Sequence, residues 1–425
     1  MRALAACLIA ASGFGLVASC EDPSLPCDDC PLAGGGQGGE AGAGGAPTSI
    51  ACPASGVFHG PWSMRFTDTT AVVRWDACKP SDVAVTVTPE RGGASQTATG
   101  TQTAATVTTH HEIFDVIPDL PGTYYTSEVA ITGLTPGECY RYAVVADPAR
   151  EGRFCTSKPS AAPFTFMAIG DTNPAIAPTE ELLQHVLMRQ PDFVVHLGDI
   201  QYYSSVLDSW SQWFISMQPM LSGGAFMPSI GNHESENETE YADYYDRLFA
   251  GAGFDGTRKY YRYQSGGFWF FSLDTEMDLS PNSEQGIWLA QMLEDAAQKP
   301  GFRGSIRSMH RPVITVGDAG SDPGLRSLLE PLFEEHGVRL VLAGHMHGYE
   351  RFVSGAVTYI TSGGGGGLIG DVNENVATRP EEAALRQAVS DQFHAVVVDV
   401  GASAIQGVAI DASGSEVDAF SISLP

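Results

Sequence analysis

Several apolar runs in the second part of this 425-residue chain break off at a polar residue. Phe164–Ile169 ends at Gly170-Asp171, and Phe193–Leu197 ends at Gly198-Asp199. Phe268–Leu273 ends at Asp274, and Val338–Leu342 runs into Gly344-His345. Between these runs the period changes. Glu180–Arg189 reads as a helix, as does Gln285–Gln298 with Trp288, Leu289, Met292 and Leu293 on one face. Continuous apolar runs alternating with amphipathic helices predict α/β layering. In such folds the ligand crevice opens at the C-terminal ends of the strands, where these polar residues fall.

Upstream the signal is all-β. Thr70–Trp75, Val83–Thr88, Val129–Leu134 and Tyr140–Val145 read as short strands, with Thr135-Pro136-Gly137 as a turn. Residues 51–157 are therefore expected to form a β-sandwich that positions the α/β domain over 163–425, joined by the Ser157–Pro163 linker. Cys52, Cys78, Cys139 and Cys155 lie in or beside the sandwich and allow three connectivities. The favoured one joins Cys139 to Cys155 and Cys52 to Cys78, because the first pair clips the arms of one expected hairpin.

The N-terminus reads as an export segment. Arg2 precedes an apolar stretch, Leu4–Val17, that is too short to span a bilayer. Val17-Ala18-Ser19-Cys20 resembles the lipobox of bacterial lipoproteins. That resemblance implies a signal over 1–19 and a membrane anchor through a lipid on Cys20. Residues 20–50, rich in Gly and Ala, then serve as a flexible tether. The tether contains Cys27 and Cys30, a pair that is weak evidence for metal or redox work. Export would put the other cysteines in an oxidising compartment, periplasmic or cell-surface. With 50 acidic against 23 basic residues the net charge is −27, which argues against a nucleic-acid-binding surface.

The chemistry-bearing residues are Asp171, Asp199, Asn232, His233, His310, His345 and His347, all at or just after apolar runs. Carboxylate, amide and imidazole together suit transition-metal ions. Gly170-Asp171, Gly198-Asp199, Gly231-Asn232-His233-Glu234, the His310 segment and Gly344-His345-Met346-His347 occur in that order. They resemble the five blocks of the metallophosphoesterase superfamily. The run Gly344–Arg351 is especially similar to the purple acid phosphatases, and the β-domain before it resembles the fibronectin type III-like domain of their larger members. Leu134–Tyr142 resembles that fold's strand-and-turn pattern. The first block lacks a histidine at Asn173, and the second carries Tyr202, the exchange seen in purple acid phosphatases. The bland alternative for Tyr202 is packing beside Tyr203.

The resemblance implies a four-layer α/β/β/α catalytic sandwich holding two metal ions. The first would take Asp171, Asp199, Tyr202 and His347. The second would take Asp199, Asn232, His310 and His345, with Asp199 bridging. A phenolate ligand in acid implies Fe(III) at the first position, since a phenol's ordinary pKa is near 10. The family implies Fe(II), Zn or Mn at the second. The expected reaction is hydrolysis of phosphate monoesters on a phosphorylated small molecule by a metal-bound hydroxide, with His233 contacting the phosphate. Two alternatives stay open. One is a phosphodiesterase or nucleotidase on the same metals; the other is a non-catalytic cell-surface binding lipoprotein.

Other residues take structural readings. His196 lies inside an apolar strand and reads as scaffold, and His185 reads as helix surface. His110 and His111 belong to the β-domain, and Asp274 and Glu276 match no ligand block. Gly363–Gly367 lacks a P-loop lysine and reads as a place of close approach near the metals. The plant-like pattern has further histidines after the His310 block, but Arg311–Asp318 has none. Arg311 is left between a phosphate contact and a salt bridge.

Overall fold

The computed structural model describes residues 52–107, 122–172, 178–201, 207–235, 241–249, 251, 259–320 and 322–424. The expected signal and tether, with Cys20, Cys27 and Cys30, lie outside the described residues, as do His110, His111, Asn173 and Tyr202. Every described residue falls in one compact unit, 47–425.

The first eight strands are β1 (Val57–Met64), β2 (Ala71–Ala77), β3 (Ala84–Pro89), β4 (Gln96–Thr99), β5 (Thr101–Val107), β6 (Gly122–Ile131), β7 (Cys139–Val144) and β8 (Asp147–Cys155). They form two antiparallel sheets, ordered β1-β2-β6-β5 and β4-β3-β7-β8. Alternation decides which side chains face inward: Val85 and Val87 are fully buried while their neighbours are not. Both favoured disulfides are present, Cys52–Cys78 and Cys139–Cys155. The second joins directly paired residues of the β7–β8 hairpin, as the spacing suggested.

From residue 164 strands and helices alternate. In chain order they are β9 (Phe164–Ile169), α1 (Pro178–Leu187), β10 (Phe193–Leu197), α2 (Leu207–Gly223), β11 (Ala225–Ser229) and α3 (Tyr241–Leu248). Then come β12 (Tyr261–Ser265), β13 (Phe268–Ser272), α4 (Glu284–Ala297), β14 (Gly304–Ser308), α5 (Pro323–Glu335) and β15 (Val338–Ala343). The chain finishes with β16 (Tyr349–Ser354), β17 (Val357–Ser362), α6 (Pro380–Leu385), β18 (Arg386–Ser390), β19 (His394–Val400), β20 (Ala404–Asp411) and β21 (Glu416–Ser423).

Two mixed sheets result, β11-β10-β9-β19-β20-β21 and β12-β13-β14-β15-β17-β16-β18. The parallel strands β9, β10 and β11 run side by side in the first, and β13, β14, β15 and β17 in the second. Helix α4 starts where Ser283 Oγ accepts from the Gly286 N–H at 3.0 Å, satisfying one of the free donors of its first turn. Trp288, Leu289 and Leu293 are buried and Met292 is half-buried, so the expected face packs inward.

One apolar core runs without a break from the N-terminal sandwich into the first mixed sheet. Phe66, just after β1, lies 5.3 Å from Phe193 of β10, and Phe193 stacks on Phe166 of β9 at 5.4 Å. Trp62 of β1 packs on Phe214 of α2 and on Phe249. Burying each such ring is worth about 2 kcal/mol. A charged pair crosses the same seam, Arg247 Nη1 to Asp76 Oδ1 at 2.7 Å. The expected linker is also tied down, with Ser157 Oγ donating to the Gln264 carbonyl at 2.7 Å.

Candidate metal centre

The strand ends that the sequence singled out lie together at one edge. The loops after β9 and β10 are locked side by side: the Asp171 N–H donates to the Gly198 carbonyl and the Thr172 N–H to the Asp199 carbonyl, both at 3.1 Å. Asp171, Asp199 and His345 adopt φ of 60°, 49° and 69°, backbone that non-glycine residues avoid. Such strain persists where the surroundings over-determine it, as at functional sites.

The surroundings are visible. Glu234, fully buried, accepts from four backbone N–H groups: Gly231 at 2.8 Å, Ile200 at 2.6 Å, Asp199 at 3.1 Å and Gln201 at 3.3 Å. Burial and then the Asp199 charge push its carboxyl up to about 7, against the pull of those donors. One side chain thereby fixes the Asp199 loop to the loop carrying Asn232 and His233. Glycines allow the close approach: a Cβ on Gly231 would lie 2.1 Å from Asp199 Oδ1, and one on Gly344 would lie 2.4 Å from Asp171 Oδ2. The Gly363–Gly367 run takes the role read from the sequence. Gly365 and Gly367 donate to the carbonyls of Gly170 and Asp171, wrapping the first loop.

Among the described residues, ligand atoms of Asp199, His310 and His345 lie within 4.8 Å of one another. His310 Nε2 is 3.2 Å from Asp199 Oδ2, 2.9 Å from Asn232 Oδ1 and 3.1 Å from His345 Nδ1. His347 Nε2 lies 3.5 Å from Asp171 Oδ1, and the His345 N–H reaches both Asp171 oxygens at 3.0 and 2.9 Å. The His233 N–H donates to Asp199 Oδ1 at 3.0 Å, and its Nε2 is 3.8 Å from Asp199 Oδ2. All six described candidate ligands and His233 are thus gathered at one place.

This donor set fits cations. His310 Nδ1 faces the Leu197 carbonyl at 2.9 Å and His347 Nδ1 faces the Leu368 carbonyl at 2.7 Å. A carbonyl can only accept, so each neutral ring carries its proton there and turns the Nε2 lone pair toward the carboxylates. The electrostatics agree. Burial opposes charge on Asp199, yet His310 and His233 hold its carboxyl well below the usual range. Burial opposes a charged His310 too, but Asp199, Asp171 and Glu276 draw a proton onto it. A cluster that pulls a proton onto a buried imidazole is short of positive charge. His345 behaves oppositely: burial, His310 and Arg311 push it down to about 2, which keeps the ring neutral.

Sequence reading missed the support around these residues. Thr172 is a buried hub: its Oγ1 donates to the Ile200 carbonyl at 2.7 Å, accepts from Trp213 Nε1 at 3.1 Å and meets His196 Nε2 at 3.0 Å. His196 is the buried scaffold residue expected, and burial lowers it to about 3. Asp274 accepts the Glu276 N–H, and Glu276 pairs with Arg311. In the Tyr349-Glu350-Arg351 end of the motif the side chains anchor the fold. Glu350 takes the Val316 N–H and pairs with Arg386, while Tyr349 and Arg351 both bind Asp418.

Residues 164–349 match the family model "Metallophos: Calcineurin-like phosphoesterase". The chain is 26% identical over 283 residues to "Probable purple acid phosphatase 20" of Arabidopsis thaliana, covering 62% of this chain and 65% of that protein. It is 26% identical over 272 residues to "Purple acid phosphatase 15" of the same plant, covering 53% and 50%. The alignments thus span less than two thirds of either relative's length. The structure of purple acid phosphatase PPD1 from yellow lupin seeds superimposes with a TM-score of 0.70 at 18% identity, covering 86% of this chain and 74% of that one, a likeness of fold. Residues 164–349 thus match a calcineurin-like phosphoesterase domain, and the chain is similar to purple acid phosphatases in sequence and, for PPD1, in fold.

Proposed function

We propose that this protein is a two-metal phosphoesterase that hydrolyses phosphate monoesters of small molecules. The observation that carries the reading is the convergence of Asp199, His310 and His345 ligand atoms within 4.8 Å, at the edge where strand-end loops meet. One ion would be held by Asp171, Asp199 and His347, with Tyr202 as the fourth donor; the other by Asp199, Asn232, His310 and His345. The tyrosine makes Fe(III) the first ion, with Fe(II), Zn or Mn second. Bound cations supply Lewis acidity and a nucleophile at low pH. The chain's own groups do the rest. Asp199 sets the position of both halves through its contacts to His310 and to the His233 N–H. His233, with 28% of its side chain exposed and its Nε2 3.8 Å from Asp199 Oδ2, would contact the phosphate and hand a proton to the leaving group.

The charge of −27 does not oppose this, because distant charges are screened beyond about 8 Å while bound cations act in contact. Export as a lipoprotein, with a signal over 1–19, a lipid on Cys20 and a tether over 20–50, is part of the same reading. No helix among the described residues is long and apolar enough to cross a membrane. The decisive experiment is metal analysis with a visible spectrum on the purified protein, followed by turnover of p-nitrophenyl phosphate. Two metals, a tyrosinate-to-iron band and turnover are expected. Protein that takes up no metal and turns over no ester would sink the reading.

A further inference from the structure

The residue after the His310 ligand is an arginine held in an unusual way. Arg311 Nε and Nη2 donate to the two oxygens of Glu276 at 2.8 and 3.0 Å, a two-point fork that fixes the guanidinium plane. The backbone holds the base of the arm, with the Arg311 N–H on Thr275 Oγ1 at 3.0 Å. Glu276 is itself seated, its N–H on Asp274 Oδ1 at 2.9 Å. The fork leaves Nη1 as the end of the guanidinium that points at the metal centre, 3.0 Å from His345 Nε2. The arginine side chain is 37% exposed while Glu276 is 14% exposed, so the held guanidinium stays reachable from solvent.

His345 differs here from its neighbours. The rings of His310 and His347 each turn an outer nitrogen to a carbonyl acceptor. The outer nitrogen of His345 meets a donor instead, and a guanidinium cannot accept. His345 joins the cluster through Nδ1, the atom 3.1 Å from His310 Nε2. Ligation through Nδ1 places the ring proton on Nε2. Nη1, now bonded to the ring at 3.0 Å, would then lose that acceptor, and an anionic oxygen beside both groups would take its N–H together with that of His345. Hydrogen bonds to a charged acceptor are the strong ones, so this is a position built for one.

Resting on the phosphoesterase reading, we infer that Arg311 binds a non-bridging phosphate oxygen of the substrate, with Glu276 as its positioning residue, and that this contact favours monoesters over diesters. A monoester at neutral pH carries two negative charges on its non-bridging oxygens, and a diester carries one. Glu276 already balances the guanidinium charge, so Arg311 contributes direction more than net attraction. It supplies a contact where Arg311–Asp318 offers no histidine.

The test uses the full-length, metal-loaded protein and an Arg311→Met, Glu276→Gln double variant, which avoids leaving a half-buried carboxylate alone. Metal content, inorganic phosphate binding by calorimetry, and kinetics with p-nitrophenyl phosphate and bis(p-nitrophenyl) phosphate are measured. With both metals retained, the phosphate Kd and the monoester KM are each expected to rise at least about tenfold, the worth of one charged hydrogen bond. The diester KM should move by less than about a third of that factor, since it offers fewer charged acceptors. Arg311→Lys, which keeps the charge and loses the fork, should recover only part of the affinity. Unchanged phosphate affinity with metals retained overturns the inference, as does an equal rise for both esters. Loss of the second metal instead would mean that Arg311 only holds His345, and overturns it too. Failure of the parent reading shows separately, in wild-type protein that hydrolyses neither ester.

Discussion

The N-terminal sandwich and the strand-end loops of the C-terminal region are built from opposite materials. The sandwich is antiparallel, alternating and cross-linked by disulfides at Cys52–Cys78 and Cys139–Cys155. The loops hold three non-glycine residues at positive φ and buried carboxylates against imidazoles, where added Cβ atoms would collide. One region is arranged for stability and the other against it. Strain and buried charge are retained where ions and substrate would use them, and the rest of the chain supplies the margin.

The sharpest way to break this comparison is Asp199→Asn. Removing the charge shared among His310, His233 and the N–H of the next loop should lower kcat/KM about a thousandfold and weaken metal retention. The thermal unfolding temperature of the metal-free protein should fall only a little, because the gain from pairing Asp199 with His310 and His233 is set against the cost of its burial. A large drop in its Tm would show that the site, too, is built for stability. Next comes Cys139→Ser with Cys155→Ser. Opening this clip should cost about 3 kcal/mol in denaturant unfolding and leave kcat unchanged. A matching loss of activity would show that the two regions are not separate in task.

Acid should act on stability through buried neutral imidazoles. Burial lowers His394 to about 4 from 6.5, and His59 and His196 shift the same way. Below 6.5 the unfolded chain takes up protons that the folded chain refuses until about 4, so stability falls across that window as pH falls. For His394 alone the loss by pH 4 is about 3 kcal/mol as an upper figure. Urea melts at several pH values check the slope, and His394→Phe should flatten part of it. A slope unaltered in that variant would remove His394 from the account. The smallest effect is expected from Tyr349→Phe. Deleting its 2.7 Å bond to Asp418 should cost about 1 kcal/mol, with kcat within about twofold of wild type.

Much of the site was legible because it sits in local chemistry: glycine followed by a carboxylate or imidazole at the end of an apolar run. Asp171, Asp199 and His345 announce themselves this way, and the two-block exchange around Tyr202 added the branch. The supports were not legible. Glu234 stands in a quoted block, but nothing local says that its carboxylate gathers four N–H groups from two loops. Thr172 reads as any threonine until Trp213 and His196 arrive from elsewhere in the chain. Local pattern does not separate the final strands β19–β21, nor the weakly apolar β4 and β5. Their partners are set by long-range register and not by local pattern. The segment 157–163 reads as a linker in composition, whereas Phe66 and Phe193 close the seam beside it from a distance.

That seam bears on any attempt to shorten the molecule. Severing the chain near Ser160 would tear a packed aromatic layer down the middle, exposing Trp62 and Phe66 on one fragment and Phe193, Phe214 and Phe249 on the other. Arg247 and Asp76 would each be stranded in a greasy wound. The expected products are insoluble halves, each needing the other as its chaperone.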